Sequence, residues 1–275
     1  MHTDNGLKDK LHQVMNKILL EPNQVQNAEE LLELIQQRER ENSEITKEIN
    51  IYIWKYPGMQ IYFIQTILEN YKNIYTSQVH EELLEIILKI LAILVQNDEV
   101  TKNFLKMKFD TFLQPYFILQ NEKIKIAALD IYCTLVFKVS TISQVSINFA
   151  DVLPVALQVI SSHEIQLKVK GTHLLFLVIQ DNKGLDYAVQ TVDRFNAIDI
   201  VVSNLIVYCV KAKHILLLKN VFKIYLRLCE KPNVKKKIIK ENMPDGLFST
   251  DLLNVLKTDF EVHELYENLC QNLSL

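Results

Sequence analysis

Glycine and proline are scarce. The 275-residue chain carries five Gly and six Pro, where the pair averages about 12% of residues in proteins generally. Sandwiches, barrels and doubly wound sheets need frequent turns, many of them glycine-dependent, so the shortage argues against those architectures. No G-x-G-x-x-G or G-x-x-x-x-G-K-S/T run is present, which removes the usual phosphate-cradling loops. Cysteine is sparse too: Cys133, Cys209, Cys229 and Cys270 lie far apart, with no C-x-x-C. Neither a disulfide framework nor a zinc site is expected, and a reducing compartment fits best. Arginine occurs four times and tryptophan once. The most apolar run, Leu83 to Val95, is interrupted by Glu85 and Lys89 and is too short to span a bilayer. No membrane partner is expected, and the polar start of the chain shows no signal-peptide pattern.

Chemistry-bearing motifs are equally thin. His263-Glu264 begins an H-E-x-x-H pattern, but Glu267 stands where the second histidine belongs. His163 and His173, expected on one helix, would be about 15 Å apart, too far for one metal ion. His80, followed by Glu81 and Glu82, reads as an exposed helix start, where acids complement the helix dipole. No nucleophile elbow of the G-x-S-x-G type occurs. No catalytic residue, metal or cofactor is expected.

What is present is helix. Across Gln78 to Gln96 the polar positions Glu82, Glu85, Lys89 and Gln96 form one narrow stripe, and every other side is apolar. Such a helix is surrounded by other helices over most of its circumference. Glu122 to Lys138 and Lys213 to Cys229 follow the same period. Short polar breaks separate the helices, among them Glu21-Pro22-Asn23, Gln96-Asn97-Asp98, Gln120-Asn121, Ser161-Ser162 and Met243-Pro244-Asp245-Gly246. They carry the residue types of caps and turns. The long central helices, near Leu88, Ile131, Leu175 and Ile224, recur roughly every 40–45 residues, the armadillo/HEAT period. The expected fold is therefore all-α, an armadillo/HEAT-like α-solenoid of about six helical repeats. A disordered N-terminus (residues 1–6) and a single armadillo-repeat domain over 7–275 are expected. Trp54, in Ile53-Trp54-Lys55-Tyr56-Pro57-Gly58, is expected as a large anchor between repeats, the alternative being an exposed ligand platform.

Charge is uneven. Between Lys211 and Lys240 nine Lys and one Arg face a single acid, Glu230; beyond it seven acids face only Lys257. The acidic tail is expected to fold over the basic segment. The competing reading is weak nucleic-acid binding by residues 211–240.

One stretch carries a resemblance. Asp181-Asn182-Lys183-Gly184-Leu185-Asp186-Tyr187 leads into Gln190-Thr191-Val192-Asp193-Arg194-Phe195, then Tyr225-Leu226-Arg227-Leu228, Lys231-Pro232-Asn233 and Met243-Pro244-Asp245-Gly246-Leu247. The series resembles the "required for cell differentiation" or Caf-forty family, whose runs read D-D-x-G-L-x-Y, Q-T-Y-E-R-F, Y-L-R-L with N-P-R, and L-P-D-x-L. Upstream, Trp54-x-x-x-Gly58 is similar to its W-H-S-F-G, and Phe112-Leu113-Gln114-Pro115-Tyr116-Phe117 to its F-L-Y-P-F-L. The similarity is collinear over about residues 7–272.

That resemblance implies a non-catalytic armadillo-repeat adaptor of the Ccr–Not mRNA deadenylase complex, acting in mRNA decay and translational repression. It implies docking on the Not scaffold through the helix ending near Tyr71, with Ile61 and Leu68 as apolar contacts. It also implies a concave face that accepts tryptophan-containing or helical peptides of mRNA regulators, at Thr191, Arg194, Phe195 and Pro232. Val192 stands where the family has Tyr, and Asn233 where it has Arg, so one aromatic wall and one guanidinium are missing. Residence is expected in the cytoplasm, with the nucleus and a homodimer left open.

Overall fold

The computed structural model describes residues 5–41, 43–73, 78–119, 121–142 and 146–273. The chain divides into two compact units, Met1–Ile147 and Asn148–Leu275. The first holds α1 (Asn5–Leu20), α2 (Gln24–Glu41), α3 (Ser43–Lys55), α4 (Met59–Asn73), α5 (Gln78–Leu94), α6 (Asp98–Lys106), a 3₁₀ segment (Phe109–Ile118) and α7 (Glu122–Val139). The second holds α8 (Phe149–Ile160), α9 (Ile165–Gln180), α10 (Asn182–Val189), α11 (Val192–Ala212), α12 (Ile215–Cys229), α13 (Pro232–Lys240), α14 (Thr250–Leu256) and α15 (Phe260–Leu273). No strand occurs among the described residues. Of the expected disordered start, residues 1–4 lie outside the described residues, while Asn5 and Gly6 already belong to α1.

The polar breaks are caps. Asn97, Asn121, Asn148 and Asp181 each accept hydrogen bonds from the first free backbone N–H groups of the following helix. These donors have no partner inside their own helix, so the caps fix where each helix starts. Two boundaries differ from expectation. Lys213 adopts a left-handed backbone (φ 52°) that ends α11, so α12 starts at Ile215. His163 falls in the turn before α9, so it shares no helix with His173.

In the first unit α5 is the central element. It packs against α2, α4 and α7, and Leu84, Ile87, Leu88, Ile90 and Leu91 are fully buried. Trp54 is fully buried as well. Its ring lies against Phe63, Phe104 and Phe109, at centroid distances of 6.4, 6.1 and 6.3 Å. It is the expected anchor, joining α3, α4, α6 and the 3₁₀ segment, and its burial removes the ligand-platform reading.

In the second unit α9 packs on α8, α10 and α12, and α12 packs on α15. A buried polar network ties this unit together. Asp199 on α11 accepts from the Tyr225 hydroxyl of α12 at 3.0 Å and from Asn242 Nδ2 beyond α13 at 2.8 Å. Burial and the adjacent Asp199 carboxylate raise the Tyr225 phenol well above its ordinary pKa, so it remains a donor. Asp199→Ala removes the acceptor shared by the buried Tyr225 hydroxyl and the half-buried Asn242 amide, and we expect a loss of about 1–3 kcal/mol, read from the urea midpoint.

Candidate docking surfaces

Gly58, at φ 92°, turns the chain sharply ahead of α4. Residues Met59, Tyr62, Phe63, Thr66, Ile67 and Asn70 then face inward, all under 10% exposed. Their spacing of three and four residues is that of one helix face. On the opposite face Ile61 is 62% and Leu68 46% exposed. Two turns apart, with exposed Gln65 and Glu69 beside them, they form an apolar stripe that nothing among the described residues covers. They are surface residues, and the core is built by their neighbours. Lys55, where the family has His, forms an ion pair with Glu99 at 2.6 Å.

The second set of expected residues gathers where α10, α11 and α13 meet. Thr191 is the N-cap of α11, its hydroxyl accepting from the Arg194 backbone N–H at 3.3 Å. The Arg194 guanidinium stacks over the Tyr187 ring at 3.7 Å and donates to the Tyr187 carbonyl and to Gln190 Oε1. Phe195 is buried, with Lys237 Nζ 5.4 Å from its ring centroid. Lys231 pairs with Asp186 of α10, and Lys237 donates to Asn196 of α11 at 2.7 Å. These bonds draw the start of α13, where Pro232 is the first residue, toward the α10–α11 corner. Val192 stands 62% exposed beside the cap.

At this corner Val192 and Pro232 are exposed, the Arg194–Tyr187 stack is half-buried and Phe195 is buried. Two partners were not singled out from the sequence. Tyr187 supplies the platform for Arg194, although it ends the D-x-G-L-x-Y-like run. Arg227 staples α12 to the α9–α10 junction, donating to the carbonyls of Ile179 (2.9 Å) and Gln180 (3.1 Å) and to Asn182 Oδ1 (2.7 Å).

The basic segment is partly neutralised. Lys219 pairs with Glu261 of the acidic tail, and Lys231 and Lys237 are engaged as above. Burial pushes the Cys209 thiol up to about 12 and the Cys229 thiol to about 11, so both are neutral packing groups near pH 7. Among the described residues no three His, Cys, Asp or Glu side chains are grouped to hold a metal. His263 Nδ1 lies 3.6 Å from Glu267 Oε1, one turn away on the same helix. α11 has the length and apolarity of a membrane-crossing helix, but it packs against α8, α10, α12 and α14 and buries Asp199.

Fold and surface together define an armadillo-type helical solenoid. An engineered protein of known crystal structure matches with a TM-score of 0.64 at 11% identity, covering 96% of this chain and 98% of that one. A designed armadillo repeat protein, solved in complex with a (KR)4 peptide, matches with a TM-score of 0.64 at 12% identity, covering 96% and 99%. Residues 18–273 match the model of the cell differentiation family, Rcd1-like, and the chain belongs to that family. The cell differentiation protein rcd1 of Schizosaccharomyces pombe is 24% identical over 255 residues, 89% of this chain and 87% of that protein. Protein CAF40 of Saccharomyces cerevisiae is 24% identical over 246 residues, 85% of this chain but 64% of the yeast protein.

Proposed function

We propose that this protein is a non-catalytic adaptor subunit of the Ccr–Not mRNA deadenylase complex. Family membership over nearly the whole chain supports the reading, and the observation that carries it is the uncovered Ile61–Leu68 stripe on α4. Exposed apolar residues in register on one helix face are what a partner surface needs to bury. α4 docks on the Not scaffold, and the corner of Val192, Pro232 and Arg194 accepts peptides of mRNA regulators. Loss of the family's tyrosine and second arginine removes an aromatic wall and a guanidinium from that corner. An aliphatic peptide side chain against Val192 suits it better than an indole held by two guanidinium groups. The protein works in the cytoplasm, where such targets are deadenylated.

Ile61→Glu with Leu68→Glu is the test. Both side chains are exposed, so the melting curve should stay within a few degrees of the parent. Recovery of the Not scaffold from the protein's own cells should fall at least about tenfold, since burying two unpaired carboxylates costs more than the 1.4 kcal/mol that a tenfold loss represents. Undiminished recovery would remove the docking assignment. The alternative of a nucleic-acid-binding solenoid has less support, because Lys219, Lys231 and Lys237 already have partners within the chain.

A further inference from the structure

A pocket lies in the second unit, where α11 turns into α12 and α14 closes over the corner. It encloses about 360 Å³ and is lined by Val210, Lys211, Lys213, Ile215, Asp251, Asn254, Val255 and Thr258. Its floor is aliphatic: Val210, Ile215 and Val255. Its rim carries two lysines against the one acid. Neither Lys211 nor Lys213 has an ion-pair partner among the described residues. A volume of this size suits a ligand of a few side chains.

The turn that forms the pocket is fixed. His214 N–H donates to the Cys209 carbonyl at 3.1 Å, and His214 Nδ1 accepts from Leu217 N–H at 3.2 Å. The left-handed Lys213 sits between these two ties. A site held this way needs little ordering on binding. Asn254 Oδ1 accepts from Lys257 at 3.4 Å, which leaves its amide N–H groups to donate to a backbone carbonyl. Leu216 and Leu253 flank lining residues in the sequence and are 54% and 40% exposed. That much uncovered apolar surface exceeds what a small anion covers. The lining holds no aromatic ring, so it offers no platform for stacking bases.

We propose that this corner binds a short acidic peptide segment of a partner protein. One large aliphatic or aromatic side chain enters between Val210, Ile215 and Val255. A neighbouring Asp or Glu pairs with Lys211 and Lys213. The site shares no residue with α4 or with the Arg194 corner, so it stands or falls independently of the adaptor assignment.

The test uses the purified full chain and an array of octapeptides pairing Asp or Glu with Leu or Phe at every separation. Two control arrays carry Lys for the acids, or Ser for the apolar residues. The expected result is retention of a subset of acidic–apolar peptides and of neither control. Lys211→Glu with Lys213→Glu should weaken the best binder at least about tenfold in fluorescence anisotropy, a loss of 1.4 kcal/mol. Ile215→Glu, at the first position of α12 where an acid suits the helix dipole, should weaken it similarly while the melting curve holds. Ile61→Glu should leave the affinity unchanged. No retention above the lysine array overturns the proposal. Equal retention of the serine array overturns it in favour of a non-specific anion face. Binding indifferent to Lys211→Glu with Lys213→Glu, or to Ile215→Glu, overturns the assignment to this pocket.

Discussion

Trp54→Ala should lower the stability of the first unit by about 3–5 kcal/mol. The indole is fully buried and touches three aromatic rings drawn from α4, α6 and the 3₁₀ segment. Removing it empties a space that rigid rings cannot collapse into, and the cost rises with the cavity left behind. Domains are stable by only about 5–15 kcal/mol, so this one change removes much of the margin. Trp54→Phe is the control. Among the described residues the indole N–H is buried without a hydrogen-bond partner, so phenylalanine removes an unsatisfied donor while keeping most of the apolar contact. The loss should be well under half that of Trp54→Ala. Two denaturation midpoints measure both, and equal losses would show that the N–H is satisfied.

Gly184→Ala should cost about 3 kcal/mol or more, the upper end for overpacking. A Cβ on Gly184 would fall well inside contact distance of the Val178 carbonyl oxygen and 2.9 Å from its carbon. Both belong to the backbone of α9, which cannot rotate away as a side chain would. Asp181 compounds the constraint, since its Oδ1 accepts from Lys183 N at 2.8 Å and Gly184 N at 3.1 Å. The whole α9–α10 corner would have to move. Tyr187, on α10, carries the stacked Arg194. The peptide binding proposed for that corner should weaken as well, because Arg194 rests on Tyr187 and Tyr187 moves with α10. A thermal melt and a binding titration on the same sample check the pair. A melt unchanged within a degree or two would mean that the corner yields more easily than its hydrogen bonds indicate.

Much of this was legible beforehand, for identifiable reasons. The helices were readable because each is written in a local period. The starts of α6, α7 and α10 were readable because Asn97, Asn121 and Asp181 satisfy donors only two or three residues away. The boundaries at His163 and Lys213 were misplaced because each depends on the length of a backbone turn, which residue type alone does not set. Thr191 was singled out through its place in a family-like motif, and its role proved to be a helix cap. Phe195 was singled out in the same motif, and its side chain is buried.

The sequence by itself determined the all-helical class, the capped joints, the Trp54 anchor and the family. Those rest on hydrogen bonds and side-chain spacing within a turn or two, or on the order of motifs along the chain. Tertiary structure alone decided which apolar residues are left uncovered. Ile61 and Ile67 look alike in sequence, yet one is 62% exposed and the other 1%. It also decided where distant segments meet, bringing residues 210–215 and 251–258 around one pocket. Burial is a property of what packs against a residue, and those neighbours come from elements tens of residues away.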